Sequence, residues 1–313
     1  MRILIVGCGD VGLRVARQLS GRARFFALSH SPERFAELRA AGITPITGNL
    51  DDRKGLTRLA GLADAILHFA PPPGEGEKDP RTRNLLATLG RGNKSQVASR
   101  KSQAASRKWQ VATNPGIFHS PLAARLSLIY ISTSGVYGDC AGAVVAETRP
   151  ARPNNTRAKR RADAEARLRD WGRRGNRIGI LRAPGIYAQN RMPAERVRKA
   201  LPAIVAEDDV HTNHIHAEDL ARLALAVLFR GKPNRVYNAV DDSGLKMGDW
   251  FDVVADHLGL PRPPRLPRAE VIAAVTPAMR TFLTESRRLT NRRAKTELRF
   301  RLRYPNVKAG LSG

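Results

Sequence analysis

The chain has 313 residues, of which 42% are hydrophobic, and it carries a formal net charge of +26 at pH 7. This length and apolar content fit one large α/β domain, or a nucleotide-binding domain with a smaller lobe. Two cysteines, Cys8 and Cys140, exclude a disulfide framework, and the apolar runs are too short for a signal peptide or a membrane span. The composition therefore predicts a cytoplasmic protein that does not enter a membrane.

The basic residues concentrate in three stretches, 91–108, 149–182 and 262–308. Such clusters are typical of proteins that bind nucleic acid or another polyanion, or of a surface that has accumulated arginine without such a role. No basic motif interleaved with aromatic residues accompanies them, which favours the second interpretation. Non-specific polyanion binding at low salt stays open.

The N-terminal stretch has the strand, glycine turn and helix pattern of dinucleotide-binding folds. A short apolar run at 3–6 ends in Gly7-x-Gly9-x-x-Gly12, and helix-permissive residues follow. In this pattern the first glycine allows the tight turn, the second lets the backbone approach the pyrophosphate, and the third lets the helix pack on the strand. The helix N-terminus then offers free amides to the phosphates. The cofactor-binding residues predicted here are Gly7, Gly9, Asp10, Val11 and Gly12.

The second predicted strand, 24–28, bears on the choice of cofactor. Dinucleotide folds often place a carboxylate at the end of this strand to hold the ribose 2′-hydroxyl of NAD. Here the strand ends in Ser29-His30-Ser31, and a predicted helix over 32–40 carries Arg34. Ser29, His30 and Arg34 suit a 2′-phosphate instead, so the sequence favours NADP over NAD as the cofactor.

Further apolar runs alternate with segments of helical character, which predicts a parallel sheet that is buried on both faces. These strand-like runs lie at 43–47, 63–70, 126–131 and 177–182. The helical segments are a stretch of about ten residues around Asn84 and the residues 156–174. The second half is mostly helical, with one strand near 235–239 and helices near 191–201, 217–230, 246–258 and 276–285.

The predicted fold class is therefore α/β: a Rossmann-like, doubly wound parallel sheet of six or seven strands with a smaller, mostly helical C-terminal lobe. We assign residues 1–183 to the NAD(P)-binding domain and 184–313 to a substrate lobe that is partly interleaved with it. A seven-residue unit repeats three times over 94–114, with too few apolar side chains for a coiled coil. We interpret 91–122 as a mobile basic insertion, with an arm that binds phosphate or a partner as the alternative.

The order of the motifs resembles the short-chain dehydrogenase/reductase superfamily, in its extended and atypical branches of NAD-dependent epimerases and dehydratases. An atypical, poorly defined subgroup of NAD(P)-binding proteins is the most similar. The matching segments are the glycine turn, Asn49-Leu50-Asp51, His68-Phe69-Ala70, Ser132-Thr133-Ser134-Gly135-Val136-Tyr137-Gly138, 181–187 and 214–221. The resemblance implies further cofactor contacts at Asn49, Leu50, Phe69, Ala70 and Arg161.

The same resemblance implies catalysis by a Ser or Thr, a Tyr and a Lys four residues after the Tyr. Thr133 takes the hydroxyl position, but the Tyr and Lys positions are Arg157 and Arg161. Arginine stays protonated and cannot exchange a proton near pH 7. We expect the two arginines to bind an anion while Thr133, with Tyr137, orients the substrate. Tyr137 and Tyr187 are the two candidates to replace the family's tyrosine, and packing in the core is the favoured alternative for both.

Three functions stay open from the sequence. The first is an NAD(P)-dependent oxidoreductase or epimerase on a nucleotide-linked sugar or similar carbonyl compound. The second is a non-catalytic NAD(P)-binding sensor or partner module, and the third is polyanion binding. Dinucleotide and a small molecule are the expected ligands, no metal is expected at His211, His214 and His216, and a homodimer is one option for the oligomeric state.

Overall fold

The computed structural model describes residues 1–90 and 126–312. Its centre is a sheet of seven parallel strands in the order β3-β2-β1-β4-β5-β7-β11. The strands are β1 (Arg2–Val6), β2 (Arg24–Ser29), β3 (Ile43–Thr47), β4 (Ala65–His68), β5 (Ser127–Thr133), β7 (Arg177–Ala183) and β11 (Arg235–Asn238). This is the Rossmann strand order, and it confirms the predicted fold class.

Helices cover both faces of the sheet, which explains the continuous apolar strands. One apolar core joins the sheet to α1 (Asp10–Gln18), α2 (Phe35–Ala40) and α6 (Ala217–Arg230). The core on the opposite face joins the sheet to the helix α3 at 80–90 and to α4 (Thr156–Arg173). Because every strand residue of β4 is buried, its side chains fill both cores, as a doubly wound sheet requires.

The sheet is not confined to residues 1–183. Its seventh strand, β11, comes from the second half of the chain and pairs with β7, with Val236 opposite Ile180. The helix α6, also from the second half, packs beside α1 on the same sheet face. The two halves therefore share one sheet, while a division at residue 183 stays a prediction.

The C-terminal lobe has a separate apolar core around Trp250, Phe251 and Val271. Its helices are α5 (Ala194–Arg198), α7 (Met247–Leu258), α8 (Arg268–Ala274), α9 (Pro277–Thr284), α10 (Arg292–Glu297) and α11 (Val307–Ser312). Two short parallel pairs of strands lie within the lobe: β8 (Gly185–Tyr187) with β10 (His214–His216), and β9 (Ala203–Ile204) with β12 (Arg265–Leu266). A third pair, β6 (Val144–Val145) with β13 (Arg288–Leu289), joins the lobe to the first half of the chain.

Two sequence expectations differ from this architecture in detail. The helix predicted over 32–40 is a 3-10 turn (Pro32–Arg34) followed by α2, and the helix predicted near 191–201 is the short α5. The predicted insertion, 91–122, lies outside the described residues. No helix within 1–90 or 126–312 is both long and apolar enough to cross a bilayer.

Candidate functional site

The glycine turn lies at the switch point of the sheet, between β1 and β4, where ligands bind in open α/β sheets. Gly7 has φ +87°, and a Cβ there would lie 2.4 Å from the Ala70 amide nitrogen. A Cβ on Gly12 would lie 3.2 Å from Ile5 Cγ2, so α1 passes close to β1. A Cβ on Gly9 would meet nothing within 4 Å. The turn is thus closed behind Gly7 and Gly12 and open in front of Gly9, which leaves room for a phosphate.

The start of α1 adds to this cradle. Gly9 is the N-cap of α1 and contributes no side-chain cap, so the first amides of the helix remain available. Val11 is buried beneath the turn, and Asp10 turns aside to accept a 2.9 Å hydrogen bond from Arg14 Nε. Burial raises the pKa of the Cys8 thiol to about 12, so this cysteine is a protonated packing residue.

The end of β2 presents the groups that the sequence assigns to a 2′-phosphate. Arg34 lies beside the turn, and its Nη1 donates a 2.8 Å hydrogen bond to the Cys8 carbonyl. Its Nε and Nη2 both donate to Glu37 Oε2, at 3.1 and 2.9 Å. His30 is exposed and Ser29 hydrogen-bonds within its own loop. Glu37 thus occupies the guanidinium edge that a 2′-phosphate would need.

The rim of the strands carries the remaining predicted cofactor contacts. Asn49 accepts a hydrogen bond from the Asp51 amide, and the Leu50 carbonyl accepts one from Asn84. The Phe69 and Ala70 amides both donate to the Val6 carbonyl at 2.8 Å, which fixes the end of β4 against β1. These residues shape the edge of the sheet on either side of the glycine turn.

A cavity of about 280 Å³ opens beyond the carboxyl end of β5 and is closed by the C-terminal lobe. Its wall comes from the loop after β5, the first turn of α4, the start of β8, residues 211–213 before β10, the start of α7, and the end of α9 with the residues after it. The lining side chains include Thr133, Asn155, Arg157, His211, Phe282, Glu285 and Arg287. Sequence analysis assigned two of these, Thr133 and Arg157, to one site, and the structure brings them together.

Thr133 and Arg157 differ in what they offer to a ligand. Thr133 ends β5, and its Oγ1 accepts a 3.2 Å hydrogen bond from the Gly135 amide. Arg157 lies in the first turn of α4 with its guanidinium over the Phe282 ring, 5.9 Å from the centroid. Partial burial, then the charges of Arg161 and Arg160, lower the pKa of Arg157. No acidic group among the described residues forms an ion pair with it.

Arg161 lies one helical turn further along α4 and is held against the sheet. Its Nη1 donates to Tyr130 Oη at 3.0 Å and to the Ile131 carbonyl at 2.9 Å. Its guanidinium also lies over the Tyr130 ring. The two arginines therefore do not converge on one point in the cavity: Arg157 faces the cavity, and Arg161 lies below it beside β5.

Tyr137 lies in the core and is not among the residues that line the cavity. Tyr137 is 1% exposed, and its hydroxyl donates a 2.7 Å hydrogen bond to Asn238 Oδ1. Burial raises the pKa of its phenol, and Arg182 lies 4.5 Å from the ring centroid. Tyr137 joins β5 to β11 in the core because the 3-10 turn that carries it points inward. Tyr187 is also buried, and its hydroxyl donates to the Asn306 carbonyl.

A buried carboxylate fixes α4 relative to the sheet. Glu165 accepts hydrogen bonds from Ser132 Oγ at 2.6 Å and from Arg182 Nη2 at 2.7 Å. Burial raises the pKa of this carboxyl, but the hydrogen bonds and charge of Arg182 outweigh burial and hold it below its ordinary value. Because Ser132 precedes Thr133, this ion pair positions the hydroxyl of Thr133 and the α4 arginines together.

His211, His214 and His216 lie close together in the sequence but have different surroundings. His211 lines the cavity; burial, then Arg288 and Lys246, lower the pKa of its imidazole. His214 packs against Trp250, with ring centroids 4.4 Å apart and the ring planes tilted by 39°, and burial lowers its pKa to about 3. His216 caps α6 by accepting from the Glu218 amide. Among the described residues no cluster of metal-ligating side chains is present.

Sequence reasoning missed the far wall of the cavity. Phe282, Glu285 and Arg287 come from the C-terminal lobe. The tail Glu285-Ser286-Arg287-Arg288 also resembles the atypical subgroup, but the resemblance assigns none of its residues a role in the site. Glu285 accepts from Asn155 Nδ2 at 3.1 Å and from Arg287 Nη1 at 2.7 Å. The N-cap role of Asn155, whose side chain accepts from the Ala158 amide, could have been predicted from its position before the helix.

Comparison with known proteins agrees with this geometry. The TrkA-N domain family matches residues 3–70, the strands around the glycine turn. The human dTDP-D-glucose 4,6-dehydratase is 28% identical over 119 residues, 35% of this chain and 34% of that protein. The chain therefore matches about a third of the length of this curated relative.

Solved structures match over almost the whole chain. A functionally unknown conserved protein from Silicibacter pomeroyi is 29% identical, with a TM-score of 0.74 and coverage of 99% of this chain and 96% of that one. A nucleoside-diphosphate-sugar epimerase from Pseudomonas aeruginosa is 16% identical, with a TM-score of 0.73 and coverage of 100% and 95%. The dTDP-glucose 4,6-dehydratase from Bacillus anthracis, solved with NAD, is 14% identical, with a TM-score of 0.68 and coverage of 99% and 94%.

The chain thus has the dinucleotide-binding fold of the NAD-dependent epimerases and dehydratases. This confirms the resemblance on which the sequence analysis relied.

Proposed function

We propose that this protein is an NAD(P)-dependent oxidoreductase or epimerase that acts on a nucleotide-linked sugar or a similar carbonyl compound. The observation that carries the proposal is the cavity at the end of β5, in which Thr133 lies together with Arg157, an arginine that forms no ion pair with a described carboxylate. The similar proteins include a UDP-glucose 4-epimerase from Thermotoga maritima and the dTDP-glucose dehydratases. Their substrates share a diphosphate and a sugar whose hydroxyl can become a carbonyl.

The residues around the glycine turn fit a dinucleotide. The open face of Gly9 and the first amides of α1 would hold the pyrophosphate, and Arg161 beside β5 would hold a ribose. Ser29, His30 and Arg34 would surround the adenosine ribose. We assign NADP over NAD on the expectation that the Arg34 guanidinium exchanges Glu37 for the 2′-phosphate. When bound, the nicotinamide supplies a hydride acceptor or donor.

The cavity residues have distinct roles in this proposal. Arg157 binds an anionic group of the substrate, because a guanidinium stays charged and donates to phosphate or carboxylate in a bidentate manner. Thr133 donates a hydrogen bond to the substrate oxygen that changes between hydroxyl and carbonyl. Neither residue exchanges a proton near pH 7.

His211 is the cavity side chain that we assign to proton exchange. Its Nδ1 is buried and has no hydrogen-bond partner among the described residues, and its lowered pKa keeps the imidazole neutral at pH 7. Glu285, the carboxylate in the same wall, is already engaged by Arg287 and Asn155. A neutral imidazole can accept the proton that a tyrosine would accept in related enzymes.

Two measurements test the proposal. Equilibrium titration followed by nicotinamide fluorescence should show saturable binding of NADPH and, more weakly, of NADH. Turnover should then be measured on a panel of UDP-, dTDP- and GDP-sugars and simple carbonyl compounds across pH. Saturable cofactor binding with turnover on a sugar nucleotide is the expected result, whereas the absence of binding to either cofactor would remove the proposal.

A non-catalytic NAD(P)-binding sensor is the second candidate. Two features favour it. Arginines stand at the positions that the resemblance assigns to the catalytic Tyr and Lys, and arginine does not exchange a proton near pH 7. Arg161 also donates its hydrogen bonds to Tyr130 and the Ile131 carbonyl. Cofactor binding of normal affinity, with no turnover on any member of the panel at any pH, would select this function over the enzyme.

A further inference from the structure

A segment of the C-terminal lobe reaches the glycine turn. Residues 188–193 follow β8, and Ala188 is buried in the same apolar core as α1. The Arg191 amide donates a 2.8 Å hydrogen bond to the Ala188 carbonyl, which closes a turn there. The Arg191 side chain is 38% exposed, and its Nη1 lies 3.6 Å from Asp10 Oδ2 in the first turn of α1. The lobe thus places a guanidinium beside the helix N-terminus that follows the glycine turn.

The guanidinium of Arg191 is not committed to a protein partner. The 3.6 Å separation from Asp10 is longer than a hydrogen bond, and the side chain makes no hydrogen bond to a residue in 1–90 or 126–312. Asp10 is already paired through its other oxygen, which accepts from Arg14 Nε at 2.9 Å. A loose, partly exposed ion pair is weak, so an anion with better geometry can replace Asp10 as the partner of Arg191.

The charges at the start of α1 leave Arg191 as the cation for a ligand. Arg14 forms ion pairs with both Asp10 and Glu218, at 2.9 and 3.3 Å. Two carboxylates against one guanidinium would repel a pyrophosphate, which is itself negatively charged. Arg191 balances this group of charges, and among the described cations of the group it is the one whose donors are free. A pyrophosphate at the turn would therefore meet the amides of α1 and the guanidinium of Arg191.

We propose that Arg191 binds the pyrophosphate of the dinucleotide, exchanging Asp10 for phosphate oxygens. Guanidinium groups donate to phosphate in a bidentate manner, which a carboxylate 3.6 Å away does not match. This role rests on the cofactor binding of the proposed function and adds to it a contact from the second half of the chain. NAD and NADP share the pyrophosphate, so Arg191 does not select between them, in contrast to the role proposed for Arg34.

Equilibrium titration of wild type and Arg191→Ala with NADH, NADPH and ADP-ribose tests the proposal. Fluorescence follows the two reduced cofactors, and calorimetry follows ADP-ribose, which keeps the pyrophosphate and lacks the nicotinamide. Arg191→Ala should weaken all three ligands by the same factor, about tenfold or more, because each loses one charged hydrogen-bonding group. Arg191→Lys should keep part of the affinity, since it keeps the charge without the bidentate geometry.

A substitution of Asp10 separates a ligand contact from a structural ion pair. Asp10→Asn frees the guanidinium of Arg191 and removes a negative charge beside the phosphates. All three ligands should then bind roughly fivefold more tightly, the effect of one unit charge about 4 Å away in water. If Arg191 only held Asp10 in place, Arg191→Ala and Asp10→Asn would break the same pair and change the affinity in the same direction. That result would overturn the proposal.

The matched control is Arg198→Ala. Arg198 lies on α5 in the same lobe, forms an ion pair with Glu195 and is more exposed than Arg191, and its replacement removes the same charge. The control should bind the three ligands within about twofold of wild type, because salt screens a charge that does not contact the ligand. Equal weakening in Arg198→Ala and Arg191→Ala, or unchanged affinity in Arg191→Ala, would overturn the role of Arg191 and leave the proposed function standing. If wild type binds none of the three ligands saturably, the proposed function and the role of Arg191 both fail.

Discussion

The sequence predicts that Arg157 takes the position of the family's acid/base tyrosine, and arginine has a different chemistry. Its guanidinium faces the cavity and meets no carboxylate among the described residues, so it can hold an anion but cannot transfer a proton. We expect Arg157→Ala to raise KM for a sugar-nucleotide substrate roughly tenfold to a hundredfold, which corresponds to the loss of one charged hydrogen-bonding group. Arg157→Lys should keep most of the binding. Steady-state kinetics that respond to neither substitution would place the site elsewhere.

His211 gives a separate prediction at the residue scale. If its imidazole accepts the proton, His211→Gln should lower kcat roughly a hundredfold or more while KM changes little. The wild-type rate should fall as pH drops through the lowered pKa of His211, below 6.5, because the protonated imidazole cannot act as a base. A pH profile that is the same in wild type and variant would contradict this role.

Arg34 and its acidic neighbour Glu37 give a prediction about the choice of cofactor. Its guanidinium edge is held by Glu37, three residues away on the same helical segment. Arg34→Ala should weaken NADPH binding more than NADH binding, and Glu37→Gln should strengthen NADPH binding by freeing the guanidinium. Fluorescence titration of both cofactors measures this, and equal losses for NADPH and NADH in Arg34→Ala would argue against the 2′-phosphate role.

At the scale of elements, we expect two glycines of the turn to have different roles: Gly7 supports the fold and Gly9 binds the cofactor. Gly7→Ala should destabilise the protein by about 1–3 kcal/mol, because it combines a positive φ with a 2.4 Å approach to Ala70. Gly9→Ala, with no atom within 4 Å, should keep the stability of the wild type and weaken cofactor binding. Urea unfolding and cofactor titration of both variants give the two readouts. Unchanged cofactor affinity in a folded Gly9→Ala protein would mean that the pyrophosphate lies elsewhere.

The ion pair between α4 and β7 is the second element-scale feature. Glu165→Gln leaves Arg182 buried without a counter-charge, and we expect a loss of about 3–5 kcal/mol in the free energy of unfolding. Asp170→Asn, which breaks the exposed pair with Arg173 on the same helix, should cost no more than about 0.5 kcal/mol. Comparable losses in the two variants would show that the buried pair does not anchor α4.

At the scale of the whole molecule, Asp241 links stability to pH. It follows β11, its amide donates to the His214 carbonyl, and burial raises the pKa of its carboxyl from 3.8 to about 7. The folded state therefore binds a proton that the unfolded state releases between about pH 4 and 7, so this carboxyl lowers stability as pH rises through that range. The resulting loss in the free energy of unfolding is complete above pH 7 and amounts to at most about 4 kcal/mol.

Asp241→Asn should remove this dependence. The stability of the variant relative to the wild type should increase steadily from pH 4 to 8, as measured by urea unfolding. The buried His68 and His214, whose pKa values burial lowers to about 3, destabilise the folded state as pH falls below 6.5. They act equally in both proteins, so the difference isolates Asp241. A difference that does not vary with pH would show that the carboxyl is ionised throughout.

The local elements could be predicted from the sequence because their signals are local. Apolar runs placed the six strands that residues 1–183 contribute to the main sheet, and β3 and α6 have the bounds that were predicted. The glycine spacing located the turn, and the 3.6-residue period of a helix placed Arg157 one turn before Arg161. The pairing of Arg34 with Glu37, at i and i+3, also lies within reach of such reasoning.

Tertiary structure alone decided which of these residues meet. The pairing of β11 with β7 joins residues far apart in sequence, and no local pattern specifies it. Tyr137 and Thr133 share one turn, yet one lies in the core and the other in the cavity, because the direction of each side chain depends on what packs against it. The wall formed by His211, Phe282 and Glu285 exists only because the C-terminal lobe folds back onto β5. The sequence thus determined the elements and the glycine turn, whereas long-range packing decided the cavity and its charges.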